Sequence, residues 1–198
     1  MNTGVLILAA GAATRMGRAK MLLPFESTNI LEHILTEVRS IKPSCICIVT
    51  GYYHKEIIAG IDTEGLYIAH NENWVAGMAS SIGMGVCELK KKKAGLSSIM
   101  IIVSDQPYLN RNVLYEMVNV REKTKKGIIA AAYNGIKGTP VLFDQKYFNE
   151  LMLLEGDTGA KSILQQYAAD IATVAFSSGA IDIDTPEDYE KLSHKTKN

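Results

Sequence analysis

At 198 residues and 47% hydrophobic content, the chain is long enough for one sizeable core, cramped for two, and too apolar for a disordered protein. Its 21 Lys and Arg residues balance 21 Asp and Glu residues, which argues against nucleic acid or an anionic membrane as the main partner. No stretch approaches the ~20 apolar residues of a membrane span, and residues 1–3 lack the basic region of a secretory leader, so a cytoplasmic protein with one domain over 1–198 is expected.

The apolar run Gly4-Val5-Leu6-Ile7-Leu8-Ala9 reads as a strand buried on both faces. Beyond a small-residue loop, residues 29–41 place Ile30, Leu31, Ile34, Leu35, Val38 and Ile41 on a helical stripe that ends near Pro43. Residues 46–50 follow as a strand, 53–59 as a short helix, 66–69 as a short strand and 80–92 as a helix. The run Ile99-Met100-Ile101-Ile102-Val103 is the strongest central strand, and residues 111–123 form the next helix. Strands at 128–133 and 140–143, helices at 147–154 and 158–167, a strand at 171–176 and a closing helix at 186–192 complete the series. Strands separated by helices predict a parallel sheet with right-handed crossovers and helices on both faces. In such sheets ligands collect at the carboxyl ends of the strands.

The most informative segment lies at one such end. Residues Ala10, Gly11, Ala12, Ala13 and Thr14 carry almost no side-chain bulk, so backbone N–H groups are accessible to a ligand. Arg15, Arg18 and Lys20 bring positive charge to the same loop, and amides plus cations suit a polyphosphate. The Walker pattern fails because Gly11 and Gly17 enclose five residues and Arg18 follows. A dinucleotide fingerprint fails as well, since no second glycine follows Gly11 at the required offset. No acid beside Lys20 in the sequence offers it a structural partner.

Three further clusters carry polar chemistry. Asp105, in Ser104-Asp105-Gln106-Pro107, stands where the central strand opens to solvent. A carboxylate beside a triphosphate is repelled unless a cation lies between them, which implies Mg²⁺; the alternative is a cap for the helix at 111. Asp182 and Asp184 alternate with Ile181 and Ile183, so both carboxylates face one side of an extended segment, and Thr185 caps the closing helix with Pro186 at its first position. In the segment 71–85, Ser80 or Ser81 can cap a helix and Gly77 can supply a turn, while Trp74, the only tryptophan, suits a core edge. Cys45 and Cys47 read as buried reduced thiols, the run Lys90-Lys91-Lys92-Lys93 as a solvated helix end, and His33, His54, His70 and His194 as residues without a catalytic role.

The segment from Leu6 to Pro24 resembles the loop Leu-Ala-Ala-Gly-x-x-x-Arg-Met-Gly-x-x-Lys-x-Leu-Leu-Pro of the molybdopterin nucleotidyltransferase-like family. The Ala-Ala-Gly form is similar to the cytidylyltransferase branch of that family, and the resemblance runs in order from Leu6 to Tyr189. It implies a Rossmann-like three-layer α/β/α fold with a mostly parallel sheet, as in nucleotide-diphospho-sugar transferases. The implied reaction is transfer of CMP from CTP to the phosphate of molybdopterin, with pyrophosphate released and Mg²⁺ as cofactor.

Carried onto this sequence, the resemblance makes Arg15, Lys20 and Asp105 the catalytic residues. It assigns Asp105 and Asp184 to the metal, with Asp182 behind them. Leu8, Ala9, Ala10, Gly11, Ala12, Thr14, Arg15 and Lys20 would bind the nucleotide, with Gly77, Ser80 and Ser81 beside the base. Gly138, Thr139 and Pro140 resemble a Gly-His-Pro acceptor segment with Thr139 in place of His. Gly156 and Asp157 open one resembling Gly-Asp-x-Gly-Ala-Arg, with Lys161 in place of Arg. Both replacements leave the acceptor open: a guanylyltransferase of the same cofactor, or transfer to a sugar phosphate or phosphoalcohol, uses the same loop. A maturation protein that binds nucleotide and cofactor without catalysis is the alternative of another class. The implied partners are CTP or another NTP, a phosphorylated small-molecule acceptor and a molybdoenzyme client, with neither nucleic acid nor membrane.

Overall fold

Burial organises the chain from its first element. All seven residues of β1 (Thr3–Ala9) are buried, as both-face coverage of a parallel strand requires. The computed structural model describes residues 2–157, 159–183, 185 and 187–190. After β1 come a loop, a 3₁₀ turn at Lys20–Leu22 and a small antiparallel ribbon of β2 (Pro24–Phe25) and β3 (Thr28–Asn29). Helix α1 (Ile30–Ser40) starts where the Asn29 side chain accepts a hydrogen bond from the Glu32 N–H at 2.9 Å. The chain continues through β4 (Cys45–Thr50), α2 (His54–Gly60), β5 (Leu66–His70) and a 3₁₀ turn at Trp74–Ala76 into α3 (Met78–Lys92). Next follow β6 (Ser98–Val103) and α4 (Arg111–Thr124), which is capped by Asn110 through bonds of 3.1 and 3.2 Å. The remaining elements are β7 (Ile128–Tyr133), β8 (Ile136–Asp144), α5 (Phe148–Met152), α6 (Lys161–Gln166) and β9 (Ile171–Ala175).

The large sheet has seven strands in the order β5-β4-β1-β6-β8-β7-β9. Strands β5, β4, β1 and β6 are mutually parallel, with Ile7 opposite both Ile48 and Ile102. One face packs Val5, Ile7, Met100 and Ile102 against α1 and α4 through Ile34, Leu114 and Met117. The other packs Leu6, Val49 and Ile101 against α3 and α5 through Ile82, Val86 and Leu151. The result is the expected three-layer, mostly parallel arrangement. Cys45 and Cys47 are buried free thiols, and burial pushes the Cys47 thiol up to about 12. Among the described residues, no helix is long and apolar enough to cross a membrane.

Three elements differ from the sequence expectation. The strand expected at 140–143 extends over Ile136–Asp144 and runs antiparallel to both β6 and β7. Asn134 and Gly135, at φ 48° and 74°, make the two-residue turn that folds β7 directly onto β8, so no crossover helix separates them. The register then shifts: Ala130 faces Val141 and Ala131 faces Gly138, leaving Thr139 and cis Pro140, which lacks an N–H, outside the regular pairing. The helix expected at 158–167 is confined to Lys161–Gln166, after Gly159 in the left-handed region at φ 54°. The helix expected at 147–154 is a 3₁₀ turn, Gln145–Tyr147, followed by the short α5.

Candidate active site

The carboxyl ends of β1, β4, β5 and β6 share one edge of the sheet. At Ala10 the chain leaves β1, and the Ala10 carbonyl accepts a hydrogen bond from the Tyr52 N–H at 3.2 Å. A Cβ on Gly51 would collide with that carbonyl oxygen and lie 2.9 Å from Trp74 Cβ, so a glycine lets the end of β4, Ala10 and Trp74 pack together. The loop then turns back on itself, with the N–H groups of Met16 and Gly17 donating to Ala13 O at 2.9 and 3.1 Å. The buried Met16 and Met21 side chains anchor it to the core beneath. Gly11 faces outward: a Cβ there would meet nothing within 4 Å.

The loop borders a cavity of about 560 Å³, whose walls hold Leu8, Ala9, Ala10, Gly11, Thr14, Arg15 and Lys20 from the expected nucleotide loop. Asp105 and Ser104, just past β6, face the same space, as do Gly77 and Ser81 at the start of α3 and Asp157 from the loop before α6. Ala12, Ser80, Gly138, Thr139, Pro140 and Gly156 are not among its walls.

Lys20 and Asp105, 85 positions apart, meet: Lys20 Nζ donates to Asp105 Oδ2 at 2.8 Å. Their side chains are only 14% and 24% exposed, so the pair is partly withdrawn from water. The sequence names no partner for Lys20; the sheet edge supplies one. Asp105 does not cap α4, because Asn110 does. As an oxygen donor at the border of an open cavity, the Asp105 carboxylate fits a hard divalent cation completed by substrate phosphates. Among the described residues, no three His, Cys, Asp or Glu side chains cluster as a ready-made cage. Asp184 and Pro186 lie outside the described residues, and Asp182 is exposed.

Gln106 explains how the segment carrying Asp182 reaches this edge. Its side chain is buried, and Gln106 Nε2 donates to Gly179 O at 2.8 Å. The Ile183 N–H donates to Asp105 O at 3.3 Å, and Ile183 itself is 1% exposed. Gln106 therefore ties residues 177–183 to the end of β6. The sequence reading passed over it, although a polar side chain directly beside Asp105 was the available signal. Downstream, Thr185 and Asp188 bond each other reciprocally: the Asp188 N–H donates to Thr185 Oγ1 at 3.2 Å, and the Thr185 N–H to Asp188 Oδ2 at 3.1 Å. That is the capping role expected of Thr185.

The start of α3 is built around Gly77. Its φ of 96° is open to glycine, and a Cβ would collide with Asp157 Oδ1 and Gly156 O. The Ala79 N–H donates to Gly156 O at 3.1 Å, so the expected base-side and acceptor-side segments touch. Asn71 Nδ2 donates to both Ser80 Oγ and Ser81 Oγ at 2.9 Å. The Ser80 hydroxyl donates a hydrogen bond to Gly77 O at 2.8 Å and serves the turn, whereas Ser81 lines the cavity. Trp74 is more than a core edge: it lines the cavity, with the Tyr52 ring set edge-on to it at 5.4 Å. Nearby, the rings of His54 and His70 stack at 4.1 Å, and His54 Nδ1 lies 2.7 Å from Thr50 Oγ1. Burial, then His70 and Lys55, lower the His54 pKa below its ordinary value.

A family model, the MobA-like NTP transferase domain, matches residues 5–171. The chain belongs to this family. Over 190 residues it is 27% identical to the molybdenum cofactor cytidylyltransferase of Escherichia coli (strain K12), covering 93% of this chain and 92% of the relative. The purine catabolism protein PucB of Bacillus subtilis (strain 168) is 28% identical over 202 residues, covering 94% of each chain. Among solved structures, the Mycobacterium sp. strain JC1 homolog of Mycobacterium tuberculosis Rv0371c superposes with a TM-score of 0.84 at 21% identity, over 99% of this chain and 97% of that one. Rv0371c of Mycobacterium tuberculosis H37Rv in complex with manganese superposes at 0.80 and 23% identity, over 96% and 97%. At these identities the structures establish the shared α/β fold, and the family establishes nucleotidyl transfer as the class of chemistry.

Proposed function

We propose that this family member is a cytidylyltransferase that moves CMP from CTP to the phosphate of a molybdopterin-type acceptor. One observation carries the reading: the Gly11 loop, Arg15, Lys20 and Asp105 face a single cavity at the carboxyl edge of the parallel strands. The Escherichia coli relative supports the choice of nucleotide and acceptor.

An oxygen of the acceptor phosphate attacks the α-phosphorus of CTP. The new P–O bond forms as the bond to the bridging oxygen breaks, and that electron pair leaves with pyrophosphate. Loop amides from Gly11 to Thr14, with Arg15, hold the β- and γ-phosphates. Lys20 neutralises charge that grows at the α-phosphate and the leaving oxygen, with no nucleophilic side chain needed. Asp105 and Asp184 would hold a magnesium ion, which would supply positive charge to offset that of the phosphates. Ala10 borders the base, where its methyl narrows the space available to a purine. Ser81 accepts from Asn71, so its hydroxyl proton remains for an acceptor atom on the base edge. Asp157 faces the acceptor.

The test is pyrophosphate release by the purified protein with each of CTP, GTP, ATP and UTP, Mg²⁺, and molybdopterin or a set of sugar phosphates and phosphoalcohols. Turnover should be highest with CTP and molybdopterin. Preference for GTP would replace the assigned nucleotide, turnover confined to a sugar phosphate would replace the acceptor, and nucleotide binding without pyrophosphate release would make the protein a carrier.

A further inference from the structure

We propose that Lys20 is an internal counter-cation that keeps Asp105 from holding a divalent ion until a triphosphate is bound, so that ion and nucleotide enter together. The inference rests on the transferase reading above and concerns the order in which the site fills.

Lys20 Nζ lies 2.8 Å from Asp105 Oδ2, and both residues line the same cavity. At side-chain exposures of 14% and 24%, water screens this pair less than it screens a surface pair. An ammonium and a divalent cation seek the same carboxylate. An ion arriving alone must displace a charge of its own sign, and the displaced ammonium then stands close to it. A triphosphate changes that balance on both sides. It offers Lys20 other anionic oxygens, and it offers the ion further oxygen ligands of the kind such ions prefer. The geometry permits the exchange without moving the fold: Lys20 begins the 3₁₀ turn Lys20–Leu22, whose Met21 is 2% exposed, while the lysine stem has four rotatable carbons. Lys20 thus acts twice, first on Asp105 and then on the nucleotide.

The experiment measures Mn²⁺ binding by the full chain through loss of the free-ion electron paramagnetic resonance signal. It is run without nucleotide and with a CTP analogue carrying a methylene group between its α- and β-phosphorus atoms. Wild-type protein should bind Mn²⁺ at least about tenfold more tightly with the analogue than without it. Lys20→Gln should bind Mn²⁺ without nucleotide roughly tenfold more tightly than wild type. Lys20→Met should do the same, which separates loss of charge from any ligation by the glutamine oxygen, and it decides the question if Lys20→Gln does not fold. In an Asp105→Asn background the Lys20 substitution should make no difference. Nucleotide-free wild type that binds Mn²⁺ as tightly as its analogue complex, or Lys20 variants that bind it no more tightly, would overturn the proposal. None of these readings requires turnover. Failure of pyrophosphate release with every acceptor removes the transferase reading and leaves this linkage standing, whereas turnover without the linkage removes this proposal alone.

Discussion

Replacing Gly11 by alanine separates what the loop does for the fold from what it does for a ligand. A Cβ at Gly11 meets nothing within 4 Å, and its φ lies outside the left-handed region, so alanine is sterically acceptable there. Fewer unfolded conformations then favour the variant by about 0.4–1 kcal/mol, which in a chain of this size raises Tm by roughly 1–4 °C. The same methyl occupies the space through which a phosphate would approach the amides. Losing one charge-assisted hydrogen bond costs about 1.5–3 kcal/mol, or a roughly ten- to hundredfold weaker Kd for CTP. Gly51→Ala is the opposite case. Its Cβ would collide with the Ala10 carbonyl and press on Trp74 Cβ at 2.9 Å, and both are held by surrounding structure. Overpacking of that kind destabilises by about 1–3 kcal/mol and lowers Tm. Thermal unfolding of both variants, with calorimetric titration of CTP into Gly11→Ala, gives the answer. If Gly11→Ala binds CTP as tightly as wild type, the open space at Gly11 is not where the phosphates sit.

Four further outcomes are expected. Lys20→Ala should reduce kcat about a hundredfold with its circular dichroism spectrum unchanged, because removing one preorganised charge from a developing oxyanion costs about 3 kcal/mol; near wild-type turnover would contradict the role. Ala10→Gly should narrow the kcat/KM preference for CTP over GTP, since a methyl-sized difference discriminates by about 1–3 kcal/mol, and an unchanged ratio would place the base elsewhere. Gln106→Leu should lower stability by about 1–3 kcal/mol by leaving Gly179 O without its donor, and residues 177–183 should become susceptible to limited proteolysis; protection equal to wild type would refute the tether. Burial opposes ionisation of Asp170, but bonds from Lys146, Tyr147 and the Gly127 N–H outweigh it and lower its pKa from 3.8 to about 2. With the folded pKa the lower one, the stabilisation is complete above the unfolded value and is lost as pH falls from about 4 toward 2, so urea midpoints of wild type and Asp170→Asn should converge over that interval.

What was legible in the chain depended on the range over which each signal acts. The strand ending at Ala9, the small-residue loop and its cations are contiguous, and their meaning survives without knowledge of the fold. The Thr185 cap is equally local and forms as read. Strand β8 was misdirected because the alternation of strands and helices outweighed a shorter signal: Asn134-Gly135, two residues that accept positive φ, turns β7 back on itself. Trp74 was ambiguous for another reason, since an indole at a core edge and one lining a cavity obey the same sequence pattern.

The Lys20–Asp105 pair marks where sequence reasoning stops. In a parallel sheet every strand delivers its following loop to the same edge, so the gathering of Ala10, Asn71 and Asp105 follows from topology alone. Which of those groups touch is settled by displacements of a few ångströms. Met16 and Met21 seat the loop on the core. Gly51 draws Trp74 and Ala10 together. Gln106 and Ile183 bring the C-terminal segment beside Asp105. None of these residues has a chemical role that motif reading would single out, yet together they determine the surroundings of the reactive groups. A residue in this fold can therefore govern the site through packing alone, and substitutions at Met16 or Gly51, neither of which lines the cavity, should alter ligand binding without contacting the ligand.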